Sequence, residues 1–318
     1  MQIKNWPRFA SLLCLLALCG CAHTGSKADV EAYQANRDRQ VKLLLAQPTP
    51  DNLATAALLL LPGDPDNSQS GELIARAVSL APQRPELLWL QLQICSHSRC
   101  DAKVQIEARL QALDPGNGFA WMSDLQRAQT SLSDAAVTEA IVRMGAAANM
   151  RLYWNQLLVM SVDAFAVSDP SQSLAMRGVG AIGLASALTF PPLQPISKAC
   201  RTEQLDLPER RAACVALMAR LEHSDTVLTQ DLALSVQEHW WADGSPELAL
   251  VREKRRRLDY LMLTAGRERL GHLNSDMAVR IDASRHTAGE EEVALAMVRS
   301  FGLPVEPPKD WKDTIHPG

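Results

Sequence analysis

The chain has 318 residues, is 47% hydrophobic and only 5% aromatic, and carries a formal net charge of −4 with histidine neutral. That apolar share excludes a disordered chain, and the mild acidity argues against a nucleic-acid partner. Leucine and alanine dominate, which leans the composition toward helix, and the length suits one long domain or two ordinary ones.

The first element is a leader. Lys4 and Arg8 precede an uncharged apolar run, Phe9 to Leu18, much shorter than the roughly 20 residues that a membrane span requires. This is the pattern of a secretory signal. At its foot, Leu18-Cys19-Gly20-Cys21 resembles the bacterial lipobox, with Cys19 where alanine or serine is commoner. The resemblance implies cleavage after Gly20 and a diacylglyceryl group on the sulfur of Cys21. The alternative is an ordinary secreted protein cut near Ala22. Several acyl chains together anchor a protein stably where one does not. Ala22 in place of aspartate implies, by the same resemblance, the periplasmic face of the outer membrane. Residues 1–20 are thus read as signal peptide and 21–30 as a polar tether reaching roughly 30 Å when extended.

Four cysteines lie beyond the leader and the lipid site: Cys95, Cys100, Cys200 and Cys214. In an oxidising compartment an even set spaced as two local pairs reads as two disulfides. Three connectivities are open, and Cys95–Cys100 with Cys200–Cys214 is the local choice. Neither spacing is the C-x-x-C of a zinc site.

From Val30 onward the pattern is helix after helix. Residues 31–47 place apolar side chains at helical intervals and stop before Pro48; the next run begins at Asp51, a candidate cap, and stops at Pro62-Gly63. ARAVSLAP from Ala75 and ARLQALDP from Ala108 then lie 33 residues apart, and Trp89, Trp121 and Trp154 recur at intervals of 32 and 33. This resembles the tetratricopeptide repeat, a helical hairpin of about 34 residues that stacks into a solenoid. The match is degenerate: Ala148 stands where a third proline belongs, and the Leu-Gly and Tyr positions of the family's first helix are not met. The resemblance implies that the tryptophans are core residues between paired helices. In that scheme Cys95 ends one helix, His97 sits in the turn and Asp101 caps the next helix.

A polar, turn-forming stretch at 168–173 marks the expected boundary between a repeat domain, 31–167, and a helical, bundle-like domain, 168–303. Expected helices follow over 173–190, over 207–223 with Pro208 in its first turn, over 224–241 capped by Ser224 or Asp225, over 245–271 stopped by Gly271, and over 289–302 with Glu290, Glu291 and Glu292 in its first turn. Residues 304–318 form a proline-rich tail that Trp311 is placed to dock.

Motifs with chemistry are few. GVGAIG, Gly178 to Gly183, matches G-x-G-x-x-G, but the dinucleotide turn needs a strand before it and none is expected. A small-residue helix face approached closely by another helix explains it better. There is no H-E-x-x-H pair, no G-x-S-x-G elbow and no S-x-x-K pair. No catalytic residue, metal ligand or cofactor is assigned, and the chain is not read as an enzyme. The basic run around Arg255 and Arg256 and the pair Trp240 and Trp241 are the candidate partner contacts. Acidic residues interrupt the basic run, which also suits a solvated helix face. The expectation is an all-helical lipoprotein that binds an envelope protein through a concave helical surface, as scaffold, assembly factor or regulator. Two other classes stay open: an immunity lipoprotein against a periplasmic toxin, and a cell-wall hydrolase.

Overall fold

The computed structural model describes residues 27–64, 68–96, 100–188, 191–267 and 272–311. Within them the chain forms fifteen α-helices and no strand, joined in places by short 3-10 turns. Cys21, the leader, His97 and residues 312–318 lie outside the described residues.

The helices are α1 (Lys27–Leu45), α2 (Pro50–Leu60), α3 (Ser68–Leu80), α4 (Pro85–Ser96), α5 (Lys103–Leu113), α6 (Met122–Thr130), α7 (Asp134–Gly145) and α8 (Trp154–Ser168). They continue as α9 (Leu174–Leu188), α10 (Gln194–Ala199), α11 (Pro208–Leu221), α12 (Val227–Glu238), α13 (Pro246–Ala265), α14 (Leu273–His286) and α15 (Glu290–Ser300). Their ends follow local chemistry. Thr49 accepts the Asn52 amide at 3.2 Å, Pro50 opens α2, and Pro62-Gly63 ends its 3-10 extension. Asp51 therefore sits in the first turn and is not the cap. Ser133 and Ser245 cap α7 and α13 in the same way. Helix α13 stops at Gly266 rather than Gly271, α5 starts after Ala102 without a side-chain cap from Asp101, and α1 already begins inside the expected tether.

Helices α1 to α5 each pack on the next, but α8 returns across α1 and α2, and α9 lies on α8 while touching α2 and α4. Helix α7 is covered by α6 and α11. The chain then proceeds through α12 and α13 to α15, while α14 packs on α15, α9 and α8. A single buried apolar cluster holds residues from Val41 to Ile281, on both sides of segment 168–173. Two smaller clusters lie under α13, one with α15 and α14 and one with α12.

The periodic tryptophans occupy different places relative to their helices. Trp89 is the fifth residue of α4 and fully buried, in tilted contact with Phe119 and Tyr153 at 6.3 and 6.4 Å. Trp121 ends the 3-10 turn before α6 under the Arg143 guanidinium, and Trp154 opens α8. Gly178 of α9 faces Met277 of α14 and Gly180 faces Phe165 of α8, so the G-x-G-x-x-G stretch lies inside a helix where neighbours approach closely.

Both local disulfides are formed, with Cα–Cα separations of 5.3 Å for Cys95–Cys100 and 5.5 Å for Cys200–Cys214. The first closes α4 toward α5. The second ties α11 to the end of α10.

Candidate functional site

A close pair of helices, α7 and α11, creates the candidate site. Gly145 of α7 lies against the backbone of α11: a Cβ there would stand 3.0 Å from the Leu217 nitrogen and 3.3 Å from the Ala213 carbonyl oxygen. With no side chain to hold them apart the helices meet there. Toward the start of both helices they leave a cleft of about 620 Å³, which continues into a second hollow of about 450 Å³ sharing Thr138, Val142 and Glu209.

Arg210 forms the base of this cleft. Its side chain is 1% exposed, and it donates to the Asp134 carbonyl and the Thr138 hydroxyl, both at 2.7 Å, and to Gln204 at 3.4 Å. Its donors are engaged in fixing α11 to the start of α7. The walls are apolar and uncovered: Val142 is 49% and Leu207 50% exposed, with Ala135, Pro208, Ala212 and Ala216 beside them. Carboxylates of Asp134, Glu139 and Glu209 stand on the rim. Just outside, Leu132 is 90% exposed on a left-handed backbone with φ 53°. A leucine held in that conformation is strained and presents an apolar side chain to water without intramolecular reward. The lining contains no histidine, cysteine, serine or lysine; its polar groups are the Thr138 hydroxyl, the Arg210 guanidinium and the three rim carboxylates.

A second cluster is polar and internal. Four connectors lie side by side through the molecule. Gly118 donates to the Asn149 carbonyl at 2.9 Å and Asn149 to that of Gly116 at 3.0 Å. The Asn117 side chain accepts from Arg151 N–H and donates to its carbonyl and to the Tyr153 hydroxyl, which in turn donates to Asp114 at 2.6 Å. Tyr153 itself has φ 60°. The Asp225 carboxylate accepts the amides of Leu152 at 2.8 Å and Tyr153 at 2.7 Å, capping α8 from a distant part of the chain. The carbonyl of Asp225 accepts Glu290 N–H at 3.0 Å, and the Glu290 side chain accepts Val227 N–H at 2.9 Å.

Burial governs the titration of this spine. It pushes Asp225 up to about 7; the amides of Leu152, Tyr153 and Trp154 pull the other way, and Glu290 adds to the rise. Burial likewise raises Glu290 against the Val227 amide and Arg280, and lowers Arg280 against Glu290. The Tyr153 hydroxyl is raised by burial and by Asp114. The hydrogen bonds of the cluster run from one connector to the next, and Arg280 of α14 adds its charge beside Glu290, which gives the cluster an architectural role.

The residues expected to meet a partner are distributed differently. Trp240 turns inward, donating to the Cys200 carbonyl at 2.8 Å, while Trp241 is 39% exposed. Arg255 is 7% exposed and paired with Glu238 at 2.8 Å and Asp231 at 3.3 Å. It holds α13 to α12 and is not a surface contact, because its stem enters the core between the helices. Arg256 is covered by the C-terminal tail, bonding Glu253 at 3.2 Å and lying over the Trp311 ring at 5.8 Å. The composition of the basic run conceals this, since its members leave the helix in different directions. The cleft was missed in the sequence, although Val142 and Leu207 carry its signal as apolar residues left exposed by their neighbours.

Among the described residues no three histidine, cysteine, aspartate or glutamate side chains gather as metal ligands, and no helix is long and apolar enough to cross a membrane. No protein-family model, curated protein or solved structure matches this chain.

Proposed function

We propose that this chain is a protein-binding scaffold or assembly factor of a bacterial envelope machine, tethered by a lipid on Cys21 to the periplasmic face of the outer membrane, with the α7–α11 cleft as its docking surface. The cleft carries the reading. It combines an uncovered apolar wall, a carboxylate rim and a rigid mount made by Gly145, Arg210 and the Cys200–Cys214 bridge. Contiguous apolar surface with a polar rim is the usual mark of a protein contact. The rim favours a partner segment with basic flanks. The lipobox-like residues 18–21 support the anchor, and the disulfides suit the oxidising compartment that the anchor implies.

The test is in-cell photo-crosslinking from Val142 and from Leu207 in the lipid-bearing chain. One envelope protein should be captured from both positions, and V142E or L207E with unchanged circular dichroism should lose it. Capture of nothing from either position would remove the scaffold reading. Capture of a single incoming toxin would instead identify an immunity protein. Fragments released from purified sacculi, and abolished by one Glu→Gln change, would identify a wall hydrolase.

A further inference from the structure

The C-terminal tail lies on the outer face of α13. Helix α15 ends in a turn at Gly302, φ 68°, where Leu303 N–H returns to the Val298 carbonyl; such a left-handed close redirects the chain sharply. Pro304, Pro307 and Pro308 then prevent helix and favour an extended path. The Tyr260 hydroxyl donates to the Pro304 carbonyl at 3.0 Å and Arg256 donates to the Pro308 carbonyl at 2.5 Å. Arg257 pairs with Glu306. A turn closes from Trp311 N–H to the Pro308 carbonyl at 3.0 Å and sets the indole edge-on to Tyr260 at 5.5 Å, beneath the Arg256 guanidinium.

This is the chemistry by which surfaces read extended proline segments. Hydroxyl and guanidinium donors engage main-chain carbonyls, an aromatic ring receives an aromatic, and one acid finds one base. The contacts are mostly exposed, so each is individually weak. The tail holds its place because it is tethered, at an effective concentration of about millimolar order. We propose that the Arg256–Arg257–Tyr260 face of α13 is a receptor for an extended, proline-containing segment of a partner protein bearing an acidic and an aromatic side chain, and that residues 304–311 occupy it in the free chain as an internal stand-in. The proposal is independent of the cleft on α7 and α11.

The probe is a fluorescently labelled peptide of residues Leu303–Trp311, titrated into the full chain and read by anisotropy. Wild-type protein should bind it at least tenfold more weakly than W311A, in which the internal competitor is loosened. Adding R256A or Y260F to W311A should weaken binding severalfold and the two together should abolish it, and a peptide with its three prolines replaced by alanine should bind more weakly. If W311A folds poorly, E306R loosens the tail by repelling Arg257 without touching the core. A folded, loosened variant that takes no peptide would overturn the proposal, as would equal binding by wild type and variant. Concentration-dependent dimerisation of wild type that disappears in W311A would assign the face to the tail of a second copy and overturn the partner.

Discussion

Asp225 stands 73 residues from the Leu152 amide that it accepts, and it serves the helix α8 rather than the helix that it precedes. A negative group at a helix N-terminus meets both free amides and the positive end of the dipole. Replacing it by alanine leaves the Leu152 and Tyr153 amides without acceptors, each at about 1–3 kcal/mol when buried. D225A should therefore lower unfolding free energy by roughly 2–6 kcal/mol in denaturant titration, and D225N by less, because its amide oxygen still accepts. The pH dependence has a definite sign. The folded-state value of Asp225, about 7, lies above the ordinary 3.8, so the native state holds a proton that the unfolded state has lost between them. This contribution is fully present below the ordinary value and disappears as pH rises through about 7. Wild-type protein should accordingly lose more stability between pH 5 and pH 8 than D225N.

At the scale of elements, the α7–α11 contact depends on an absent side chain. Gly145→Leu would force the helices apart, since even a Cβ stands 3.0 Å from the Leu217 nitrogen. A cost of about 1–3 kcal/mol follows from such overpacking, and a thermal melt should show it together with loss of any cleft-bound partner. The two disulfides should differ in worth. Cys95–Cys100 closes a separation of 5 residues and Cys200–Cys214 one of 14. Removing the pair of cysteines should cost about 2 and about 3 kcal/mol respectively, read as melting temperatures of the double serine variants. Elements were legible where local chemistry decides them: Pro208 at a helix start, Glu290 to Glu292 in a first turn, and Trp311 as the dock of the tail. The connector spine was illegible. Asn117 meets Arg151 and Tyr153 across 34 and 36 residues, and Asp225 looks like an ordinary cap for its own helix. The basic run misled for a related reason, since burial of Arg255 is set by α12, which no local pattern reveals.

At the scale of the whole molecule, one apolar cluster extends across the polar stretch at 168–173, and α14 packs on α8 and α9. A core shared in this way favours unfolding as one unit. Calorimetry on the chain should show a single transition with matching van't Hoff and calorimetric enthalpies; two separated transitions would show that residues on either side of 168–173 fold independently.

The hydrogen-bonded connectors also invert an engineering expectation. Loops are ordinarily the places where a chain tolerates inserted tags, permuted termini or a foreign domain. Here the segments around Asn117, Arg151 and Asp225 are pairing partners of one another, so a short insertion at any of them should abolish soluble expression. The same insertion at the exposed turn around Gly244 should be accepted. These hydrogen-bonded connections are harder to replace than the exposed turns, and sequence drift should be slower there than on the helix faces that they join.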